Sequence, residues 1–98
     1  MRLSKQQADI ITREAKDIFG PDACVKLFGS RMDDNKRGGD IDLLIELPHP
    51  FAQSVLASAK LEARLMQALG MQKIDVLISA PNLTATPIHA IASQGIRL

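Results

Sequence analysis

Apolar residues recur along this chain with two periods, and the switches between them mark its elements. Ala8, Ile11, Ala15 and Ile18 return every three or four residues, one stripe of an amphipathic helix. Ser4 and Gln7 ahead of them have the S-x-x-Q spacing of a capping box. Gly20-Pro21 stops the stripe, since glycine suits the C′ position and proline cannot extend a helix. The pattern predicts a helix over about residues 4–19. From Ala23 to Phe28 it predicts a strand with Val25 and Leu27 on one face, ended by Gly29-Ser30. The polar stretch from Arg31 to Gly39 reads as a loop. Asp40 to Leu47 is a second strand: Ile41, Leu43, Ile45 and Leu47 share one face, and Asp40, Asp42, Leu44 and Glu46 the other. Pro48-His49-Pro50 closes it.

Phe51 to Leu69 returns to a helical period, with Ala52, Val55, Leu56, Ala59, Ala63, Met66 and Leu69 as its expected buried stripe and Gly70 as its stop. Lys73 to Ser79 is a third strand, with Ile74, Val76 and Ile78 on one face and Asp75 and Leu77 on the other. Thr86-Pro87 is an N-cap followed by proline at the first helical position, opening a short helix to about Ser93. The order α-β-β-α-β-α predicts an α+β, two-layer domain. It would hold a small mixed sheet of three or four strands with helices on one face. The other face, bearing Asp40, Asp42 and Asp75, is expected to be open. No repeat or linker interrupts the pattern, so residues 1–98 read as a single domain.

Composition narrows the functional classes. Hydrophobic residues make up 46% of the chain but aromatics only 3%, so the core must be aliphatic. The net charge is +1, without the basic surplus that replaces phosphate counterions on duplex DNA, and general DNA binding is not expected. So small a net charge does little to keep copies apart, and a homodimer or other partner is compatible with it. The single Cys24 has no internal disulfide partner and reads as a small buried apolar residue. The N-terminus turns polar at once and no apolar run nears a membrane span, so a soluble cytoplasmic protein is expected.

Asp40 and Asp42 are the first chemical anomaly. Residues i and i+2 of a strand lie about 6.5–7 Å apart and point the same way. Two like charges that close repel by about 3 kcal/mol at an effective dielectric of 20. A divalent cation between them would turn repulsion into attraction. A lone D-x-D is a weak pattern, often only turn chemistry after Gly-Gly, but Asp75 leaves the apolar face of its own strand in the same sense. Three carboxylates on one face suit Mg²⁺, which takes one or two carboxylates and fills its shell with water and phosphate oxygens. Two such ions could clamp an in-line displacement at phosphorus. Gly29-Ser30, directly after a strand, lets a phosphate approach backbone N–H groups and the Ser30 hydroxyl, and Arg31 could offset its charge. Each is a plain turn or a solvated arginine in most settings. An EF-hand starting at Asp33 fails, because Arg37 stands at a ligand position and Leu44 where the bidentate Glu belongs. His49 and His89 have no partners spaced for a catalytic triad.

Leu27-Phe28-Gly29-Ser30-Arg31, then Gly39-Asp40-Ile41-Asp42-Leu43-Leu44-Ile45, then Ile74-Asp75-Val76 together resemble the DNA polymerase beta-like nucleotidyltransferase superfamily. They are most similar to its minimal nucleotidyltransferases, over about Val25 to Ser79. The resemblance implies that Gly29 and Ser30 hold a nucleoside triphosphate, with Arg31 beside them. It implies that Asp40 and Asp42 bind two Mg²⁺ ions, and that Asp75 helps bind the catalytic metal and activates the attacking hydroxyl. The implied reaction moves a nucleoside monophosphate, commonly AMP from ATP, to a hydroxyl and releases pyrophosphate. The minimal branch often acts as the antitoxin of a HEPN-type toxin, in some cases by adding AMP to it.

The sequence departs from the family where Arg-x-Arg-Gly commonly follows Gly-Ser. Here the run is Arg31-Met32-Asp33-Asp34, whose carboxylates oppose a triphosphate's charge. Weak or partner-dependent activity is compatible with that departure. Two further readings stay open: a non-catalytic antitoxin module of the same fold, and a nucleotidyltransferase acting on a small molecule such as an antibiotic.

Overall fold

The computed structural model describes residues 3–29, 40–70 and 72–98; Ser30, Arg31 and the rest of the polar stretch to Gly39 lie outside the described residues. Among the described residues the elements are α1 (Lys5–Phe19), β1 (Cys24–Phe28), β2 (Ile41–Glu46), α2 (Ser54–Leu69), β3 (Ile74–Ser79), α3 (Pro87–Ala92) and β4 (Ile96–Arg97). They build a small mixed α+β fold around a four-stranded sheet of order β3-β2-β1-β4.

α1 starts where the capping box places it. The Gln7 N–H donates to Ser4 Oγ at 3.1 Å and the Ser4 N–H to Gln7 Oε1 at 3.0 Å. β1 and β2 pair antiparallel, with Phe28 opposite Asp42. β2 and β3 pair parallel, with Asp42 opposite Asp75 and Leu44 opposite Leu77. A parallel pair needs a long crossover, which α2 supplies. One sheet face packs on α1 and α2 through Ile11, Ala15, Phe19, Leu27, Leu43 and Ile45, joined by Leu61 and Leu65. The core is aliphatic apart from Phe28 and Phe19, the latter with its ring 5.1 Å from that of Phe51.

Three features depart from the sequence pattern. The first is the stripe on α2. Val55 and Leu56 are 84% and 66% exposed, and Ala52, Ala59 and Ala63 are exposed as well. Leu61 and Leu65 are the residues fully buried, with Ala57, Met66 and Leu69 packed beside them. The expected stripe left out Leu61 and Leu65, whose side chains remove far more surface from water than the alanines it counted. The start of the helix also moves. Asn82 donates to the Phe51 carbonyl and accepts from its N–H, both at 3.0 Å, holding Phe51 outside the helix. Gln53, in a left-handed conformation, then turns the chain into Ser54.

The second is β4. Its two residues are too short for a period to be read. They pair with β1 at Lys26 and Leu27, and the Leu98 N–H adds a bond of 2.9 Å to the Val25 carbonyl. Gly95 makes this docking possible, since a Cβ there would overlap the Leu27 carbonyl oxygen. The third is α3, which lies on the sheet face opposite α1 and α2. Its Ala92 packs on Phe28 and Leu44, with Leu77 alongside, so the face expected to be open is covered at one end.

The outer edge of β3 is tied by side chains. The Val76 N–H donates to Glu62 Oε1 of α2 at 3.2 Å, and His89 Nε2 of α3 lies 2.9 Å from the Ile78 carbonyl oxygen. No described helix is long and apolar enough to cross a membrane.

The facing of α2 can be read by urea denaturation. Leu61→Ala and Leu65→Ala are each expected to cost about 2–5 kcal/mol. Val55→Ser and Leu56→Ser are expected to stay within about 0.5 kcal/mol of the wild type. The reverse ranking would mean that the helix is turned the other way.

Candidate functional site

The site forms where three chain segments meet on the sheet face shared with α3. β1 delivers Phe28 and stops at Gly29, which has φ of +78°. A side chain is disfavoured there for two reasons. Few L-residues adopt that conformation, and a Cβ at Gly29 would overlap the Asp42 carboxylate. The Gly29 backbone therefore lies directly against Asp42.

Asp42 projects from β2 beside Asp75 of β3, its register partner. Neighbouring strands stand about 4.8 Å apart, so two carboxylates on one face at matched positions are held close. Asp42 is half-buried and Asp75 exposed. The Asp42 carboxyl is pushed above the usual aspartate range, first by burial, then by the charges of Asp75 and Asp40. A hydrogen bond to Asp75, open only to the protonated form, adds to this, and Lys73 opposes it.

Asp40 precedes β2 and is only partly gathered in. Its Oδ2 lies 3.7 Å from Lys73 Nζ, with 44% of the Asp40 side chain exposed. Asp42 and Asp75 thus meet, while Asp40 stands at the margin with a lysine beside it. Among the described residues no group of three or more His, Cys, Asp or Glu side chains stands close enough to hold an ion. The donor chemistry suits a hard divalent cation even so: carboxylate oxygens only, those of Asp42 and Asp75 held side by side. Ser30 and Arg31, expected to contact the phosphates, lie outside the described residues.

Gly29, Asp42 and Asp75 line a cleft of about 520 Å³ that Phe28, Leu77, Ile88 and Ile91 also line. Ile88 and Ile91 were not singled out by the sequence pattern. The signal was present in Ile88, Ile91 and Ala92, which share one face of a helix at spacings of three and four. α3 is fixed against the sheet by polar contacts. The Thr86 N–H donates to His89 Nδ1 at 2.9 Å. The proton of a neutral ring then lies on Nε2, which donates to the Ile78 carbonyl. Lys26 Nζ donates to the Ser93 carbonyl at 3.0 Å and pairs with Glu46 at 2.9 Å. Glu46 is thereby engaged away from the carboxylate pair. Cys24 is half-buried rather than buried and is a free thiol.

Neither the models of known protein families nor the curated proteins provide a match to the chain.

Two outcomes follow from the Gly29–Asp42–Asp75 geometry. Gly29→Ala is expected to cost about 1–3 kcal/mol. Part of that cost should vanish in an Asp42→Ala background, a coupling of about 0.5–3 kcal/mol in a double-mutant cycle. Strict additivity would remove the proposed contact.

The second concerns pH. The Asp42 carboxyl is raised in the fold, so its contribution to stability is full below the ordinary aspartate range. It is lost as pH rises through the folded value. In chelator-treated buffer at neutral pH, Asp42→Asn should therefore melt higher than the wild type. The gap should close on titration from about pH 8 to about pH 4. A variant that melts lower at neutral pH would contradict the repulsion.

Proposed function

We propose that this chain is a Mg²⁺-dependent nucleotidyltransferase that moves a nucleoside monophosphate, AMP from ATP in the first instance, to a hydroxyl acceptor. The observation that carries the reading is the register of β2 on β3. It sets Asp42 beside Asp75, with the Gly29 backbone against Asp42. Nothing in the packing of an aliphatic core requires two adjacent carboxylates there, and their mutual repulsion opposes folding. The resemblance of the motifs around Gly29-Ser30, Asp40, Asp42 and Asp75 to minimal nucleotidyltransferases supports the same reading.

In the proposed reaction the acceptor oxygen attacks the α-phosphorus and the bond from that phosphorus to the β-bridging oxygen breaks. Pyrophosphate leaves, and the hydroxyl proton passes to a carboxylate. Asp75 suits that last role, because it is more exposed than Asp42 and within reach of an entering acceptor. Bound Mg²⁺ would supply positive charge for the phosphate oxygens and lower the barrier electrostatically. Asp40 and Asp42 would hold it with Asp75, Asp40 exchanging its contact with Lys73 for the metal. The Gly29 backbone, followed by Ser30 and Arg31, would receive the triphosphate. The acceptor implied by the family resemblance is a hydroxyl on a helical HEPN-type toxin, with this chain as the antitoxin.

Calorimetry of ATP with Mg²⁺ and with chelator tests the reading. Wild type is expected to bind ATP only with metal, and the Asp40→Asn/Asp42→Asn variant not at all. Transfer of label from α-phosphate-labelled ATP to an acceptor should fall on the order of 10²–10³-fold in Asp42→Asn. Binding or transfer undiminished in the variants would overturn it. A fold that captures its partner equally well with Asp40→Ala, and binds no nucleotide, would favour the non-catalytic module.

A further inference from the structure

We propose that Lys73 is a built-in counter-ion of the carboxylate site. It pairs with Asp40 while no metal is bound, and it turns the site away from the bare divalent cation and toward the cation already carried by a triphosphate. This rests on the nucleotidyltransferase reading of Asp40, Asp42 and Asp75.

Placement is the first argument. The Ile41 N–H donates to the Lys73 carbonyl at 3.0 Å, which carries the β2–β3 ladder one residue ahead of the pair Ile41 and Ile74. Asp40 and Lys73 therefore stand side by side, as Asp42 and Asp75 do two residues further on. Two residues of strand advance about 6.5–7 Å and return to the same face. The result is a square of charges, three carboxylates and one ammonium. The register that forces Asp42 against Asp75 is the one that delivers Lys73 to Asp40.

Mobility is the second. Lys73 Nζ lies 3.7 Å from Asp40 Oδ2, the long end of an ion pair, and 71% of the lysine side chain is exposed. An exposed pair that loose is given up at little cost, and a four-carbon stem can carry the ammonium aside while the backbone stays paired. The charge of Lys73 is also felt one row away, where it opposes the rise of the Asp42 carboxyl.

The charge of the incoming species decides the consequence. A bare divalent cation must take Asp40 from Lys73 and then share the site with a like charge. At separations of this size, with screening by salt, that repulsion weakens binding by about 3–10-fold. A metal–ATP complex carries a net negative charge at neutral pH, so the same ammonium attracts it. Lys73 thus penalises the free ion and favours the loaded one, and the metal is led to enter with its nucleotide.

The test uses the full chain with two probes. Bare Mn²⁺, a hard ion that suits oxygen donors, is followed by the electron paramagnetic resonance of the unbound ion, and Mg²⁺–ATP by calorimetry. Lys73→Met is expected to bind Mn²⁺ about 3–10-fold more tightly than wild type, and Mg²⁺–ATP no more tightly. In chelator-treated buffer it should melt about 1–5 °C lower, because the carboxylates lose their counter-ion. Lys73→Arg, which keeps the charge, should match wild type in all three measurements. Failure of Lys73→Met to gain Mn²⁺ affinity, where Mg²⁺–ATP still binds, would overturn the proposal even if the melting temperature fell. So would an Mg²⁺–ATP affinity that rises in step with that for Mn²⁺. Wild type and variant that bind neither probe would instead sink the carboxylate reading itself.

Discussion

The parallel register of β2 on β3 sets Asp42 against Asp75, and much of the molecule is arranged around that pair. The crossover that makes the strands parallel is α2, whose Leu61 and Leu65 close the core beneath them. A slip of one residue in either strand would exchange the faces of every side chain it carries. The same constraint that buries Ile41, Leu43 and Ile45 therefore points Asp42 the other way. Core packing fixes the carboxylate geometry without any contact made for that purpose. Gly29 completes it from the third side, because only a residue without a Cβ fits against Asp42.

The two sheet faces divide the work. One is sealed by α1 and α2 and holds nearly all the fully buried side chains. Among the described residues the other is covered where Ala92 meets Phe28 and Leu44, and Asp42 and Asp75 line the cleft beside that contact. α3 is short, and hydrogen bonds to carbonyl groups supplement its small apolar contact. It can thus present two isoleucines to the cleft while Ala92 keeps it docked.

What could be read from the sequence followed the strength of the local pattern. β2 and β3 alternate without interruption, so the directions of Asp42 and Asp75 were legible before any pairing was known. The Ser4–Gln7 box and Thr86-Pro87 fixed two helix starts through local chemistry. α2 was legible as a helix but not in its facing, because the apolar stripe read from its sequence left out Leu61 and Leu65, the two residues that are fully buried. β4 escaped because its pairing depends on the long-range approach of Gly95 to Leu27. The pairing of Asp40 with Lys73 was hidden for a similar reason, since it arises only when β2 and β3 come together. The apolar wall of the cleft depended on which face of the sheet α3 would choose, and that was decided by Leu44 and Phe28, buried residues on the side the pattern marked as polar.

The ties along β3 bear on assembly. An edge strand with a free row of backbone groups invites a second chain to continue the sheet. Here Glu62 takes the outward Val76 N–H and His89 the Ile78 carbonyl, interrupting that row from both flanking helices. At the opposite end β4 contributes only Ile96 and Arg97, too little template for strand addition. Oligomers that fuse sheets edge to edge are thereby disfavoured, and a second copy or another protein would have to approach through side chains on the helices or across the carboxylate face.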